Sequence, residues 1–160
     1  MADRQLLLDL LREHESFYLY EQSCIRAAAQ RLRTAFPDAS FLYSIKCNPA
    51  GKVLDTLFSQ GFGADAASAR EVAMAQARGV APEDILFSAP ARTEADLRAT
   101  YGRCVQVADS LREIRCIAQI ASERGERARI GIRIDPDFTF TADHGVPGKF
   151  GIQESLLWEA

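Results

Sequence analysis

Lysine is scarce in this chain. Of its 19 basic residues, 16 are arginine and three are lysine: Lys46, Lys52 and Lys149. Lys46 ends the run Phe41-Leu42-Tyr43-Ser44-Ile45, and a lysine placed there asks for a chemical reason. If the run is a strand, Phe41, Tyr43 and Ile45 face one way and Leu42, Ser44 and Lys46 the other. The bulkier apolar set is expected to pack on helices, which leaves Lys46 pointing inward at the strand's C-terminal end. Desolvation of an amine favours its neutral, nucleophilic form, which condenses with aldehydes. The alternative is a lysine at a wet strand end, snorkelling to solvent. By pattern alone the two readings stand level.

The other reactive types are few. Cysteines occur at 24, 47, 104 and 116, without a C-x-x-C pair, and histidines at 14 and 144. No metal site is therefore expected. Cys47 should face away from Lys46 as a small core residue. His144 falls in a glycine- and proline-containing loop, Thr141 to Gly148, where a solvated histidine is the default.

These residues need elements to position them. Residues 3–13 read as a helix, Phe17 to Tyr20 as an aromatic strand, and Glu21 to Phe36 as a helix stopped by Pro37. Strands then begin near residues 41, 62, 84, 104 and 129, spaced by 20 to 25 residues. Helices over about 51–60, 69–78, 94–101 and 111–124 separate them, followed by Gly61, Gly79, Gly102 and Gly125. Ser68-x-x-Glu71 and Ser110-x-x-Glu113 are capping boxes, and Thr93-x-x-Asp96 is a weaker one. The units share a pattern but not residues.

Five βα units in a row predict an α/β fold with parallel strands. A doubly wound sheet usually has a glycine-rich turn after its first strand. Here that turn is Lys46-Cys47-Asn48-Pro49, so a partial (β/α)8 barrel is favoured. Residues 1–36 form an N-terminal strand and helix segment, and 37–160 an incomplete barrel. A full barrel needs about 250 residues, so the chain is expected to be a fragment. Acidic and basic residues are interspersed, with net charge −3 and no basic block, which argues against nucleic acid. Apolar runs are too short to span a bilayer. The N-terminus does not read as a signal peptide, so a cytoplasmic location with reduced thiols is expected.

Six segments carry a resemblance. Tyr43-Ser44-Ile45-Lys46-Cys47-Asn48-Pro49 resembles the Y-A-V-K-A/C-N segment of pyridoxal-phosphate (PLP) dependent ornithine and diaminopimelate decarboxylases, on the alanine-racemase-like barrel of fold type III. Gly61 to Glu71 is similar to their G-x-G-F-D-x-A-S-x-x-E. Phe87 to Thr93 is similar to F-x-G-P-x-K-T. Val107 to Ser110 resembles V-D-S shifted by an alanine, and Gly131 to Pro136 resembles L-R-V-N-P. Lys149-Phe150-Gly151-Ile152 matches K-F-G-I. The segments fall in the family's order across nearly the whole chain.

The resemblance implies PLP held by Lys46 as a Schiff base, with Asp65, Glu71 and Arg133 lining the pocket. It implies decarboxylation of a diaminopimelate-, ornithine- or lysine-like amino acid and a homodimeric full-length enzyme. Further cofactor-binding residues and a β-rich domain would follow position 160. Each pocket residue has a plainer reading. Asp65 ends a strand and could satisfy loop amides. Glu71 completes a capping box. Arg133 alternates away from Ile132 and Ile134, so it would reach Asp65 or a substrate carboxylate. An alanine-racemase-like isomerase is the first alternative, but its lysine is usually followed by tyrosine and glycine. A non-catalytic barrel would have supported itself by losing Lys46, which is present. A lysine-dependent aldolase places its lysine on a late strand.

Overall fold

The structure, a computed structural model, describes residues 4–136 and 148–159. It divides into two compact units. The first runs to Phe41 and resumes over Asn48–Phe62. It holds helices α1 (Arg4–Glu13), α2 (Gln22–Ala35) and α3 (Gly51–Phe58). α3 buries Val53, Leu54, Thr56 and Leu57. α2 packs on α3, where Gln22 Nε2 donates to Thr56 Oγ1 at 3.1 Å. The strand expected over Phe17 to Tyr20 is not formed. Tyr18 is 90% exposed and Leu19 and Tyr20 are also exposed. Aromatic residues favour a strand only where a partner strand supplies the ladder, and among the described residues this stretch has none.

The second unit, Leu42–Cys47 with the chain from Gly63 onward, holds the sheet. Strands β1 (Leu42–Ser44), β2 (Gly63–Ala66), β3 (Ile85–Ser88), β4 (Val105–Ala108) and β5 (Ile130–Ile132) pair in sequential order, all parallel. A doubly wound sheet would reverse order across its first strand, so the barrel-type winding expected from the spacing is the one observed. Helices α4 (Ala69–Gln76), α5 (Glu94–Thr100) and α6 (Leu111–Glu123) connect the later strands. The four glycines expected to stop helices all sit at positive φ, from +67° to +78°.

Burial alternates along the strands, as a sheet with one helix-covered face requires. In β3 Ile85 and Phe87 are buried while Leu86 and Ser88 are half-buried. In β4 Gln106 and Ala108 are buried and the two valines are half-buried. The helix-side core gathers Leu97, Ala108, Ile117 and Ile120, with Ile114 and Ile130 packed against it.

The fifth strand breaks at Arg133. Its N–H still donates to Ala108 O at 2.9 Å, while its carbonyl accepts from Ile152 N at 2.8 Å. Beyond the break, β6 (Ile134–Asp135) pairs in parallel with β7 (Ile152–Gln153). Gly151 makes this close approach possible. A Cβ there would lie 2.9 Å from Asp135 N, and its φ is +92°.

On the helix layer, Arg98 ties α5 to α6. Its guanidinium donates to Glu94 at 2.7 Å and to both Glu123 oxygens at 2.6 and 3.1 Å. These bonds, chiefly those from Arg98 and then one from Gln119, hold the Glu123 carboxyl down to about 2. A depressed carboxylate stabilises the fold above its ordinary pKa and loses that contribution as pH falls through the folded value. In chemical denaturation, Glu123→Gln should therefore be less stable than wild type at neutral pH. The gap should narrow below the usual carboxylate range and close near pH 2.

Candidate functional site

β1 ends at Ser44, and a 3-10 turn, Ile45–Cys47, takes over. Ile45 is fully buried, and Lys46 and Cys47 are both exposed. Lys46 therefore sits on a turn beyond the strand rather than within it. The expectation that Cys47 is a core residue is incorrect. Three residues per turn replace the two-residue alternation, so neighbours no longer face opposite sides. Of the two readings of Lys46, the described residues match the solvated one: they leave its side chain exposed.

Asp65 lies in β2 between its register partners Ser44 and Leu86. Among the described residues no amide or cation bonds its carboxylate, so the loop-amide reading is not what is found. Beside it, Ser44 Oγ is buried without a hydrogen-bond partner. Lys46, two residues past Ser44, has no ion pair with Asp65 or Glu71 among the described residues. An open amine, a carboxylate and an orphaned hydroxyl thus gather on two adjacent strand ends.

Glu71 is used structurally. Its N–H donates to Ser68 Oγ at 3.2 Å, and its Oε2 accepts from Ala67 N at 2.7 Å. Glu113 repeats this, taking Ser110 Oγ at 3.3 Å and Asp109 N at 2.9 Å. Each carboxylate reaches one residue before its cap, whereas the reciprocal box forms at Thr93 and Asp96, the pair expected to be weaker. The likeness extends to sequence: Ala66-Ala67-Ser68-Ala69-Arg70-Glu71 and Ala108-Asp109-Ser110-Leu111-Arg112-Glu113 share Ala, Ser, Arg and Glu at matching positions. The expectation of no shared residues between units fails at these two loops.

The copies differ in what surrounds the glutamate. Glu113 is 1% exposed and pairs with Arg92, 3% exposed, at 2.6 Å. Arg92 also donates to Phe87 O at 3.0 Å and Val107 O at 2.5 Å, and its own N–H reaches Glu113 Oε1 at 3.1 Å. One buried pair thus joins the ends of β3 and β4 to the start of α6. Sequence reasoning missed it. The capping box marked Glu113, but nothing local marked Arg92 as its partner.

Arg133 pairs with Asp109 at 3.5 Å rather than with Asp65, one of the two partners considered for it, and lies 4.6 Å over the Phe150 ring. β2 and β5 are separated by two strands, so Asp109 on the adjoining β4 end is the carboxylate within reach. His144 lies outside the described residues. At the other end of the sheet, a cavity of about 270 Å³ is lined by Tyr101, Cys104, Gln106 and Arg127 among others. Burial pushes the Cys104 thiol up to about 11.

The family model for the pyridoxal-dependent decarboxylase, pyridoxal binding domain, matches residues 22–157. The chain is 34% identical over 148 residues to the L-glutamyl-BtrI acyl-carrier protein decarboxylase of Niallia circulans, covering 88% of this chain and 35% of that protein. It is 32% identical over 122 residues to the diaminopimelate decarboxylase of Aquifex aeolicus, covering 75% and 29%. A crystal structure of a variant diaminopimelate decarboxylase from Helicobacter pylori, complexed with L-lysine, superposes with a TM-score of 0.81 at 27% identity, over 96% of this chain and 41% of that one. The chain spans about a third of the length of these curated relatives.

Two expectations follow from the local geometry. Glu113→Ala strands the Arg92 cation in the core and should cost about 3–5 kcal/mol. Glu71→Ala removes only a half-buried loop bond and should cost about 1 kcal/mol. Denaturant midpoints of the two variants measure the difference. In timed alkylation at pH 8, Cys24 and Cys47, both exposed, should label first, and Cys104, protonated and buried, last.

Proposed function

The chain belongs to the pyridoxal-binding domain family of the pyridoxal-dependent decarboxylases, and on that premise we propose that its protein decarboxylates an amino acid, with Lys46 as the residue that holds PLP. The substrate class we propose is a diaminopimelate-, ornithine- or lysine-like amino acid, turned over by a homodimer of the full-length protein. The observation that carries the reading is the open Lys46 amine at the end of β1, in the segment that resembles the family's lysine motif. On the strand that leads to it, the orphaned Ser44 hydroxyl is in register with Asp65, whose carboxylate has no partner among the described residues. One amine for the aldehyde and polar groups left unsatisfied around it make a donor set that fits such a cofactor. When bound, PLP supplies an electron sink for the bond to the departing carboxyl group.

The chain's own residues do the positioning. Lys46 Nζ is the attachment point, and its exposure leaves it reachable by cofactor and substrate. Asp65 offers a fixed negative charge on the neighbouring strand. Arg133 offers a positive charge just past the last strand of the run, suited to a carboxylate or phosphate oxygen. Glu71 shapes the β2–α4 loop by holding the Ala67 amide and contributes to the pocket through that loop.

In the full-length protein, Lys46→Arg keeps a cation of similar length but cannot supply a neutral amine. Decarboxylation should fall at least a thousandfold while thermal unfolding shifts little. Glu71→Gln should retain most activity, because glutamine oxygen still accepts from the loop amide. Borohydride reduction followed by peptide mapping should place the pyridoxyl group on Lys46. Its appearance on Lys52 or Lys149, or on no lysine, would refute the assignment.

A further inference from the structure

The repeated Ala-x-Ser-x-Arg-Glu loop carries an alanine at its second position in one copy and an aspartate in the other: Ala67 and Asp109. The backbone task is the same in both, since each donates its N–H to the glutamate four residues on, at 2.7 and 2.9 Å. Alanine performs that task with no side chain to spare. The loop therefore does not need the Asp109 carboxylate. That carboxylate is 12% exposed and lies 3.5 Å from Nη1 of Arg133.

We infer that Asp109 is a positioning residue that aims Arg133 at the carboxylate of the amino-acid substrate, an inference that rests on the proposed function. Both ends of the Arg133 backbone are fixed, its N–H on Ala108 O and its carbonyl on Ile152 N. Its side chain is held between Asp109 and the Phe150 ring, 4.6 Å away. The Lys149 ammonium lies 5.2 Å from the same ring, so two cations flank it. The other carboxylate on this element, Asp135, already accepts from Gly148 N at 2.7 Å.

The Asp109 contact is long and single, against roughly 2.8 Å and two bonds in a bidentate pair. Arg133 is 40% exposed. One of its N–H groups is steered while others stay open for an incoming anion. Asp109 is in turn set from behind, because its N–H is bound by Glu113 and Glu113 is locked by Arg92. The chain Arg92–Glu113–Asp109–Arg133 runs from the core to the sheet's C-terminal end.

The test uses the full-length protein, with steady-state decarboxylation of the amino acid it turns over and crystal structures of the same variants. Asp109→Ala should raise KM tenfold or more with kcat within threefold of wild type. Asp109→Asn, whose amide oxygen still accepts from Arg133, should return KM to within threefold. Arg133→Ala should lose at least as much as Asp109→Ala, and the double variant should be no worse than Arg133→Ala alone. In the Asp109→Ala crystal, the Arg133 side chain should leave its place over Phe150. Multiplying effects in the double variant, no rescue by asparagine, or an unmoved Arg133 would each overturn the inference. A full-length protein without decarboxylase activity would refute the proposed function instead, and the position of Arg133 in the Asp109→Ala crystal would then decide the inference by itself.

Discussion

A guanidinium and a carboxylate that are 3% and 1% exposed need hydrogen-bond partners from the surrounding fold to offset their desolvation. Arg92 and Glu113 meet that condition with two strand carbonyls, two backbone amides and one another. Those partners belong to the C-terminal ends of β3 and β4, to the loops that leave them and to the first turn of α6. The pair costs desolvation, and in return the loop ends have one arrangement in which nothing buried is left unmatched. Arg92 Nε is the exception, a buried N–H without a partner.

That constraint matters because parallel strands deliver their chemistry at one end. Sequential order places the ends of β1 to β5 side by side, and after β2, β3 and β4 a short loop turns the chain into its helix. The same six-residue loop serves after β2 and after β4. Its glutamate is half-buried in one place and fully buried in the other, so one local motif takes on two energetic roles. The difference comes from Arg92, which arrives from a different loop.

Strand edges account for the remaining features. β5 is followed at Arg133 by a change of partner, from β4 on one side to β7 on the other. A residue bonded to both neighbours has its backbone fixed, so its side chain can be aimed by a single contact. Ile132 and Ile134, which flank it, are 45% and 49% exposed.

Much was legible in the order of residues alone. Period-two and period-3.6 hydrophobicity, serine and threonine caps and terminal glycines are local signals, each contained in a few neighbouring residues. They located four connecting helices and five parallel strands, and they marked Lys46 at the end of the first. Contacts between distant residues were not legible. Arg92 and Glu113 are 21 residues apart, and Asp109 and Arg133 are 24 apart. Whether such residues meet depends on strand register and on how far each loop carries the chain, and no periodicity encodes either. The same limit explains Phe17 to Tyr20, whose strand-like composition found no partner, and Cys47, whose facing changed when a 3-10 turn replaced strand geometry. Sequence determined which elements form and in what order; tertiary packing decided which charges they bring together, because pairing energy is realised only between groups that register has already placed within reach.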